Sequence, residues 1–346
     1  MKRFTTFYSS KSTSETPAHH TNSGFKNPWP SADPPTWSEL LSTKFPLGWY
    51  NDLAKRHPNV HDVKVIVPDW GKSVLKQRGL EREKCIIGTP LGHAGALTEM
   101  RVNGKSYWAL YDPIFSMRAG PTQYTGPMRM KPSPCQVTDL PGCDAVIISH
   151  NHYDHLDLGT IQALIKNFPK AKYFVPLGNK SWLLSLGVST ENVIELDWWQ
   201  DRSFSASELG LPAAKEADTE TRLKFTCVPA QHNSGRGALD QGQTLWSGWV
   251  IEHLLITNDE SSPTTMRRRG AIFHAGDTGY RRTAKSEAVC PVFAEIGRKF
   301  GFFDLAFVPI WRGGSLSWIS KLGLRLDHND VPSALHASPV DAVDIH

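Results

Sequence analysis

The sequence predicts an α/β sandwich in which β-sheets are covered by helices. Three observations carry that expectation. From about residue 86 the chain runs strand, turn, strand, with strand-like segments at Cys85–Ile87, Leu97–Val102 and Ser106–Tyr111. Asn103-Gly104 between the last two is a hairpin turn signal, because both residues tolerate positive φ. Leu158–Phe168 carries apolar residues at Ile161, Leu164, Ile165 and Phe168, the spacing of an amphipathic helix, and Pro169 ends it. Further short strand-like segments follow at Lys172–Val175, Val193–Leu196, Leu223–Pro229, Leu245–Glu252, Ala271–His274 and Leu305–Pro309.

Residues 1–40 are rich in Ser, Thr and Pro, with proline punctuation in Asn27-Pro28-Trp29-Pro30 and Asp33-Pro34-Pro35. They read as a disordered tail that becomes an extended strap along the surface, anchored by Trp29 and Trp37. Residues 41–346 form the expected domain, although residues 50–85, with the run Val63–Val67, favour no particular element.

A chain of 346 residues with 40% hydrophobic and 21% charged residues is an ordinary globular protein with a substantial core. Its formal net charge of +4, from 38 basic and 34 acidic residues, does not suggest nucleic acid and leaves room for an anionic lipid surface. The five cysteines (Cys85, Cys135, Cys143, Cys227, Cys290) are scattered and free of C-x-x-C spacing, which suits a reducing, intracellular compartment. No apolar run approaches the ~18 residues of a membrane span. The expected location is therefore cytoplasmic or peripheral on a membrane. The basic, Ser/Thr-rich segment Met1–Lys11 adds a faint mitochondrial presequence character, with an untargeted tail as the alternative.

The chemistry is concentrated in Ser149-His150-Asn151-His152-Tyr153-Asp154-His155-Leu156-Asp157, directly after the apolar run Asp144–Ser149. Residues two apart in an extended chain point the same way, so His150 and His152 converge on one side. Asp154 and His155 follow the turn and can face a second point. Imidazole nitrogens and carboxylate oxygens are the ligands that zinc accepts, and less selectively iron or manganese. A polar loop that happens to be rich in histidine is the bland alternative. Two further strand ends offer partners: His232 after Lys224–Val228, and Asp277 in Phe273-His-Ala-Gly-Asp277-Thr-Gly-Tyr280. Small residues around Asp277 allow tight packing while its carboxylate projects, where it can bridge two cations. His274 reads as a packed core histidine. Asp112, His93 and His253 qualify on chemistry alone, without comparable context.

Ser149–Asp157, Gln231-His232 and Ala275-Gly-Asp-Thr-Gly279 resemble the ligand motifs of the metallo-β-lactamase superfamily. Within it the chain closely resembles the N-acyl-phosphatidylethanolamine-hydrolysing phospholipase D family. The likeness runs through Asn27-Pro-Trp-Pro30, Gly92-His-Ala94, Asp112-Pro-Ile-Phe-Ser116, Gln123–Arg129, Phe174–Gly178, Asn192–Trp199 and Glu295-Ile-Gly297. The Pro309–Gly314 loop and the Leu-rich insert after it look fungal-type. The resemblance implies an αββα sandwich with two zinc ions at one edge: His150, His152 and His232 on one, Asp154 and His155 on the other, and Asp277 bridging. Asp154, if only one of its oxygens binds metal, can also orient the attacking hydroxide. His336, in Leu335-His-Ala-Ser-Pro339, matches a family histidine near the substrate side, with a contact to phosphate and a helix-entry hydrogen bond as equal alternatives.

In the resembling family a further histidine, in an Ile/Met-His-x-Gly-Thr-Phe segment, completes the second site. This sequence reaches His346 after a helix opened by Ser338 and Pro339, and His346 aligns ahead of that segment. A truncated product or incomplete gene model is the expectation, with a weakened second metal site and the last strand missing.

The activity implied is hydrolysis of N-acyl-phosphatidylethanolamine to N-acylethanolamine and phosphatidic acid by hydroxide held at the metal. The expected partner is a phospholipid at a membrane surface, with no nucleic acid and with a homodimer allowed. A lactonase or nuclease on the same ligands, or an impaired remnant, are the rival readings. Leu316–Leu326, apolar with Lys321 and Arg325, is a candidate for contact with a bilayer or for burial under the sandwich.

Overall fold

The computed structural model describes residues 16–33, 47–49, 64–129, 131–214, 218–257, 264–282, 286–311, 324–326 and 335–346. A short hairpin of β1 (His20–Thr21) and β2 (Gly24–Phe25) precedes β3 (Leu47–Trp49) and helix α1 (Lys72–Arg78). Strands β4 (Ile87–Gly92), β5 (Gly95–Val102), β6 (Lys105–Tyr111) and β7 (Ala145–Ile147) lead to α2 (Leu158–Asn167) and β8 (Lys172–Pro176). Helix α3 (Lys180–Ser185) and β9 (Val193–Leu196) complete the first half. The second half holds β10 (Asp201–Ser205), β11 (Thr219–Val228), β12 (Gly248–Thr257), β13 (Thr265–His274) and α4 (Val292–Phe300). It ends with β14 (Leu305–Phe307), β15 (Leu324–Leu326) and α5 (Pro339–Ile345).

Strands β4 to β9 form a six-stranded sheet in sequence order, and β10 to β14 a five-stranded sheet in sequence order. The first sheet is antiparallel from β4 to β6 and parallel from β6 to β9. The second is antiparallel except for its last pair, β13 and β14.

Alternation along the strands sorts the apolar residues into three layers. Met100, Tyr107, Ala109, Tyr111, Ala145, Ile147 and Phe174 of the first sheet meet Leu223, Phe225, Cys227, Trp249, Ile251 and Ile272 of the second. Phe174 and Phe225 stack across this layer at 3.9 Å between ring centroids. The opposite face of the first sheet, with Leu97, Leu110, Val146, Ile148 and Val175, packs on Ile161 and Leu164 of α2 and Leu183 of α3. Val250 and Phe273, on the far side of the second sheet, pack on Val292, Phe293, Ile296 and Phe300 of α4. Helix, sheet, sheet and helix thus lie in order, and the expected α/β sandwich is the fold.

Several boundaries differ from the sequence expectation. The segment Cys85–Ile87 contributes only Ile87 to β4, since the 3-10 turn Arg82–Lys84 runs up to Cys85. The strand expected at Leu245 begins at Gly248, because the Ser247 N–H is committed to the Ser149 carbonyl of the other sheet at 2.9 Å. Strand β10 was not expected, and Phe204 is the one apolar residue in Asp201–Ser205. The turn at Asn103-Gly104 is as expected, with φ of 52° and 87°. Trp29 anchors the strap by stacking on Trp198 at 5.4 Å, whereas Trp37 lies outside the described residues. So does the Leu316–Leu326 segment apart from β15, whose backbone pairs with β3. Among the described residues no helix is long and apolar enough to cross a membrane.

Candidate metal centre

The site lies at one edge of the sandwich, where β6, β7, β11 and β13 end. The parallel register that sets Tyr111 beside Ile147 brings Asp112 next to the start of the histidine-rich loop. Asp112 accepts the Ser149 N–H at 2.7 Å and the Ser149 Oγ–H at 2.6 Å. The loop then turns tightly, with the His155 and Leu156 N–H groups both on the His152 carbonyl. Asp157 caps α2 by accepting the Thr160 N–H at 2.9 Å, so the last acid of the motif is structural. Arg236 ties this loop to the one after β11: its Nε–H donates to the Asn151 carbonyl at 2.7 Å, and its guanidinium lies 4.7 Å from the Tyr153 ring centroid.

His150, His152 and His232 form the first cluster. Nε2 of His150 is 2.8 Å from Nδ1 of His152 and 3.2 Å from Nε2 of His232, and the remaining separation is 3.4 Å. Burial holds His150 well below the ordinary imidazole range, and the neighbouring His155, His232 and His152 push it the same way. Burial also lowers His152 and pushes His232 down to about 3. All three are therefore neutral bases near pH 7. The outer nitrogens of two of them fix their tautomers: His150 Nδ1–H donates to Ser149 Oγ at 2.8 Å, and His232 Nδ1–H donates to the Leu335 carbonyl at 2.8 Å. The inward Nε2 atoms of His150 and His232 therefore carry lone pairs.

Asp277 joins this cluster to a second one. Its Oδ2 lies 3.1 Å from His155 Nε2, 3.3 Å from His336 Nε2 and 4.0 Å from His232 Nε2. Asp154 Oδ2 lies 3.9 Å from His155 Nε2 and 2.8 Å from His93 Nε2. Burial alone would lower the His155 pKa, but Asp277, Asp154 and Asp112 together hold it well above the ordinary value. Burial works against the Asp277 carboxylate too, yet His155, His336 and His232 keep it ionised well below the usual range. The second half of the site is thus a cation held among carboxylates, the charge arrangement a metal ion would take over by displacing the His155 proton.

The residues fit a dinuclear site. Ligands bonded at 2.0–2.1 Å to a tetrahedral cation such as zinc stand roughly 3.3 Å apart, and the three neutral nitrogens have about that spacing. Asp277 stands between the two halves, as a shared carboxylate must. All six sequence-selected ligands, His150, His152, Asp154, His155, His232 and Asp277, fall into these clusters.

Two expectations need correction. His93 and Asp112 were set aside for lack of context, yet His93 groups with Asp154 and His155, and Asp112 orients His155 by accepting its Nδ1–H at 2.9 Å. His336 groups with His232 and Asp277. His253 does stay outside, buried in mid-β12 opposite Leu223. His274 is buried as expected, with Nε2 3.8 Å from Asp112, and His346 is exposed and joins no cluster among the described residues.

Gly276 allows the close approach of the Asp277 loop. Its φ is +61°, and a Cβ there would lie 2.5 Å from the Ser149 Cβ. Gly276→Ala is expected to lose about 1–3 kcal/mol through strain and overpacking, read by urea denaturation of the metal-free chain. A change below about 0.5 kcal/mol, the scatter of surface substitutions, would refute this account of the loop.

Comparison with known proteins agrees with the geometry. The model of the beta-lactamase superfamily domain matches residues 107–346. The chain is 32% identical over 270 residues to N-acyl-phosphatidylethanolamine-hydrolyzing phospholipase D 1 of Caenorhabditis elegans, covering 76% of this chain and 61% of that protein. It is 33% identical over 255 residues to an uncharacterized protein of Mycobacterium tuberculosis, covering 74% and 52%. A third relative, the mitochondrial N-acyl-phosphatidylethanolamine-hydrolyzing phospholipase D of Saccharomyces cerevisiae, is 33% identical over 193 residues, covering 56% and 33%. The chain spans less than two thirds of the length of each of these relatives.

Proposed function

We propose, since the chain belongs to the β-lactamase superfamily, that it is a zinc-dependent phosphodiesterase of phospholipase D type. The substrate would be N-acyl-phosphatidylethanolamine, and the products N-acylethanolamine and phosphatidic acid. The observation that carries the metal-dependent reading is the trio of neutral, inward-facing imidazoles joined by Asp277 to a carboxylate-rich second half. The names of the nematode and yeast relatives support the lipid substrate. Among the chain's own residues, His150, His152 and His232 would hold one zinc, Asp154 and His155 the other, with Asp277 shared. Zinc, when bound, lowers the pKa of water towards neutrality and offsets charge building on a phosphoryl oxygen.

The side chains have distinct tasks in this reading. Asp154 is partly open to solvent and pinned through Oδ2 by His93, so its carboxylate can accept a hydrogen bond from the attacking water and orient it. The Asp154 pKa is held below the usual carboxylate range, against the effect of burial, by His155 and His93, so it remains an acceptor. His336, partly exposed beside Asp277, would donate to a phosphate oxygen in this reading. Tyr124, Met128 and Leu239 are exposed on the loops that follow β6 and β11, and this reading would set them against lipid. The word mitochondrial in the yeast relative's name supports the presequence reading of Met1–Lys11.

The test is release of N-acylethanolamine and phosphatidic acid in equal amounts from vesicles of defined N-acyl-phosphatidylethanolamine by the zinc-loaded chain, suppressed by a chelator. Two bound zinc ions with cleavage of a lactone or of DNA, and no lipid hydrolysis, would sink the phospholipase reading. A chain that holds no more than one weak zinc would favour an impaired remnant.

A further inference from the structure

The loop that carries His232 has no regular structure of its own: β11 stops at Val228, and β12 starts only at Gly248. Its position comes from elsewhere. On one side the Asp277 segment holds it, through the Gln231 N–H on Thr278 Oγ1 at 2.9 Å and the Gly279 N–H on the Gln231 carbonyl at 2.7 Å. On the other side lies the strap of residues 16–33. The Asn27 side-chain amide donates to the His232 carbonyl at 2.7 Å, while its oxygen accepts the Trp246 indole N–H at 3.2 Å. Ser31 Oγ–H donates to the Gln231 side-chain oxygen at 2.6 Å, and the Gln231 amide returns a bond to the Ser31 carbonyl at 3.2 Å. Ser31 and Gln231 are both buried.

The strap is itself clasped at two further places. His19 and His20 each place Nε2 on a different oxygen of Asp197, at 2.7 and 2.8 Å, and His19 stacks on Trp198 at 4.2 Å. The hairpin of β1 and β2 passes so close to the His232-bearing loop that a Cβ on Gly24 would lie 2.2 Å from the Gly242 carbonyl oxygen. Phe25 N–H donates to that same carbonyl at 2.7 Å.

We infer that the N-terminal strap is an arm of the metal centre, with Asn27 as a positioning residue that sets the His232 backbone and through it the Nε2 lone pair. The inference rests on the metal reading of the three-histidine cluster and is independent of the lipid substrate. A bond to the backbone of a ligand residue fixes where the imidazole stands, while the Leu335 carbonyl fixes which nitrogen it presents. Together they restrain both the place and the tautomer of the ring. Side chains that orient a ligand in this way typically matter by about 10- to 100-fold in metal affinity.

The experiment uses the full chain. Zinc affinity is measured by competition with a chromophoric chelator, and the ligand-field spectrum is recorded with cobalt in place of zinc. Asn27→Asp is close in shape and keeps the acceptor for the Trp246 indole, but it replaces the N–H donor by a charged oxygen that faces the His232 carbonyl. Asn27→Ala removes both bonds, and Lys26→Ala on the same strap, with an exposed side chain, is the control. Asn27→Asp is expected to weaken zinc binding at the tightest site by about 10- to 100-fold and to shift the cobalt bands, with its thermal midpoint near that of Lys26→Ala. Asn27→Ala is expected to do the same or more. Unchanged affinity and unchanged cobalt bands in a folded Asn27→Asp chain overturn the inference while leaving the metal centre intact. A wild-type chain that binds no zinc overturns both together.

Discussion

Asp277→Ala is expected to abolish high-affinity binding at the second cation position and, if the proposed function holds, to lower lipid hydrolysis by about 10²–10⁴-fold. The size follows from the several kcal/mol that a bound cation supplies to a developing phosphoryl charge, at about 1.4 kcal/mol for each tenfold in rate. Among the described residues Asp277 is the one carboxylate whose oxygen approaches His155, His336 and His232 together, at 3.1, 3.3 and 4.0 Å. Without it the two halves of the site have no common ligand, and His155 keeps only Asp154 and Asp112 as counter-charges. Metal analysis of the purified variant and steady-state hydrolysis of N-acyl-phosphatidylethanolamine vesicles measure the two effects. A variant that retains two zinc ions per chain and loses less than about tenfold in rate would remove Asp277 from the centre of the argument.

Asp112→Ala is expected to have the largest effect on stability, about 3–5 kcal/mol for breaking a buried charged pair. Asp112 is fully buried and collects three donors: Ser149 N–H, Ser149 Oγ–H and protonated His155 Nδ1–H. Alanine would leave those donors unpaired in a space closed to solvent, at a cost of about 1–3 kcal/mol for each neutral group. Asp112→Asn keeps an acceptor but sets an amide N–H against one of the donors, so an intermediate loss is expected. Urea denaturation of the metal-free chain measures both, which separates this effect from lost metal. A loss below about 1 kcal/mol for the alanine variant, the size of a typical single substitution, would mean that Asp112 does not organise the site.

What could be read from the sequence depended on whether the signal was local. His150, His152, Asp154 and His155 were legible because six neighbouring residues contain them and the strand before them fixes their direction. His232 and Asp277 were legible because each closes an apolar strand, and Gly276 marks the tight approach. Asp112 and His93 gave no such pattern. Each is one polar residue at a turn, and what matters is a neighbour brought in by sheet pairing: β6 on β7 for Asp112, and the turn between β4 and β5 for His93. The available hints were the Asp112-Pro113 step and the turn Gly92-His93, where φ is 89° and 50°. The fold class was readable from alternation, but β10 was not, since Phe204 alone could announce it. The outer half of β13, Thr265–Arg269, is mostly exposed and is a strand because β12 supplies its ladder, not because of its own apolar pattern.

The ligand-bearing loops issue from both sheets and are tied to each other across the sandwich, by the Ser247 N–H on the Ser149 carbonyl and the Trp249 indole N–H on the Ile148 carbonyl. Bringing such distant segments together carries a loop-closure entropy cost that a cation would otherwise have to offset from its own binding energy. Here the docking of the two apolar sheet faces has already met that cost. The donor atoms stand preorganised, so little of the coordination energy is lost to rearrangement.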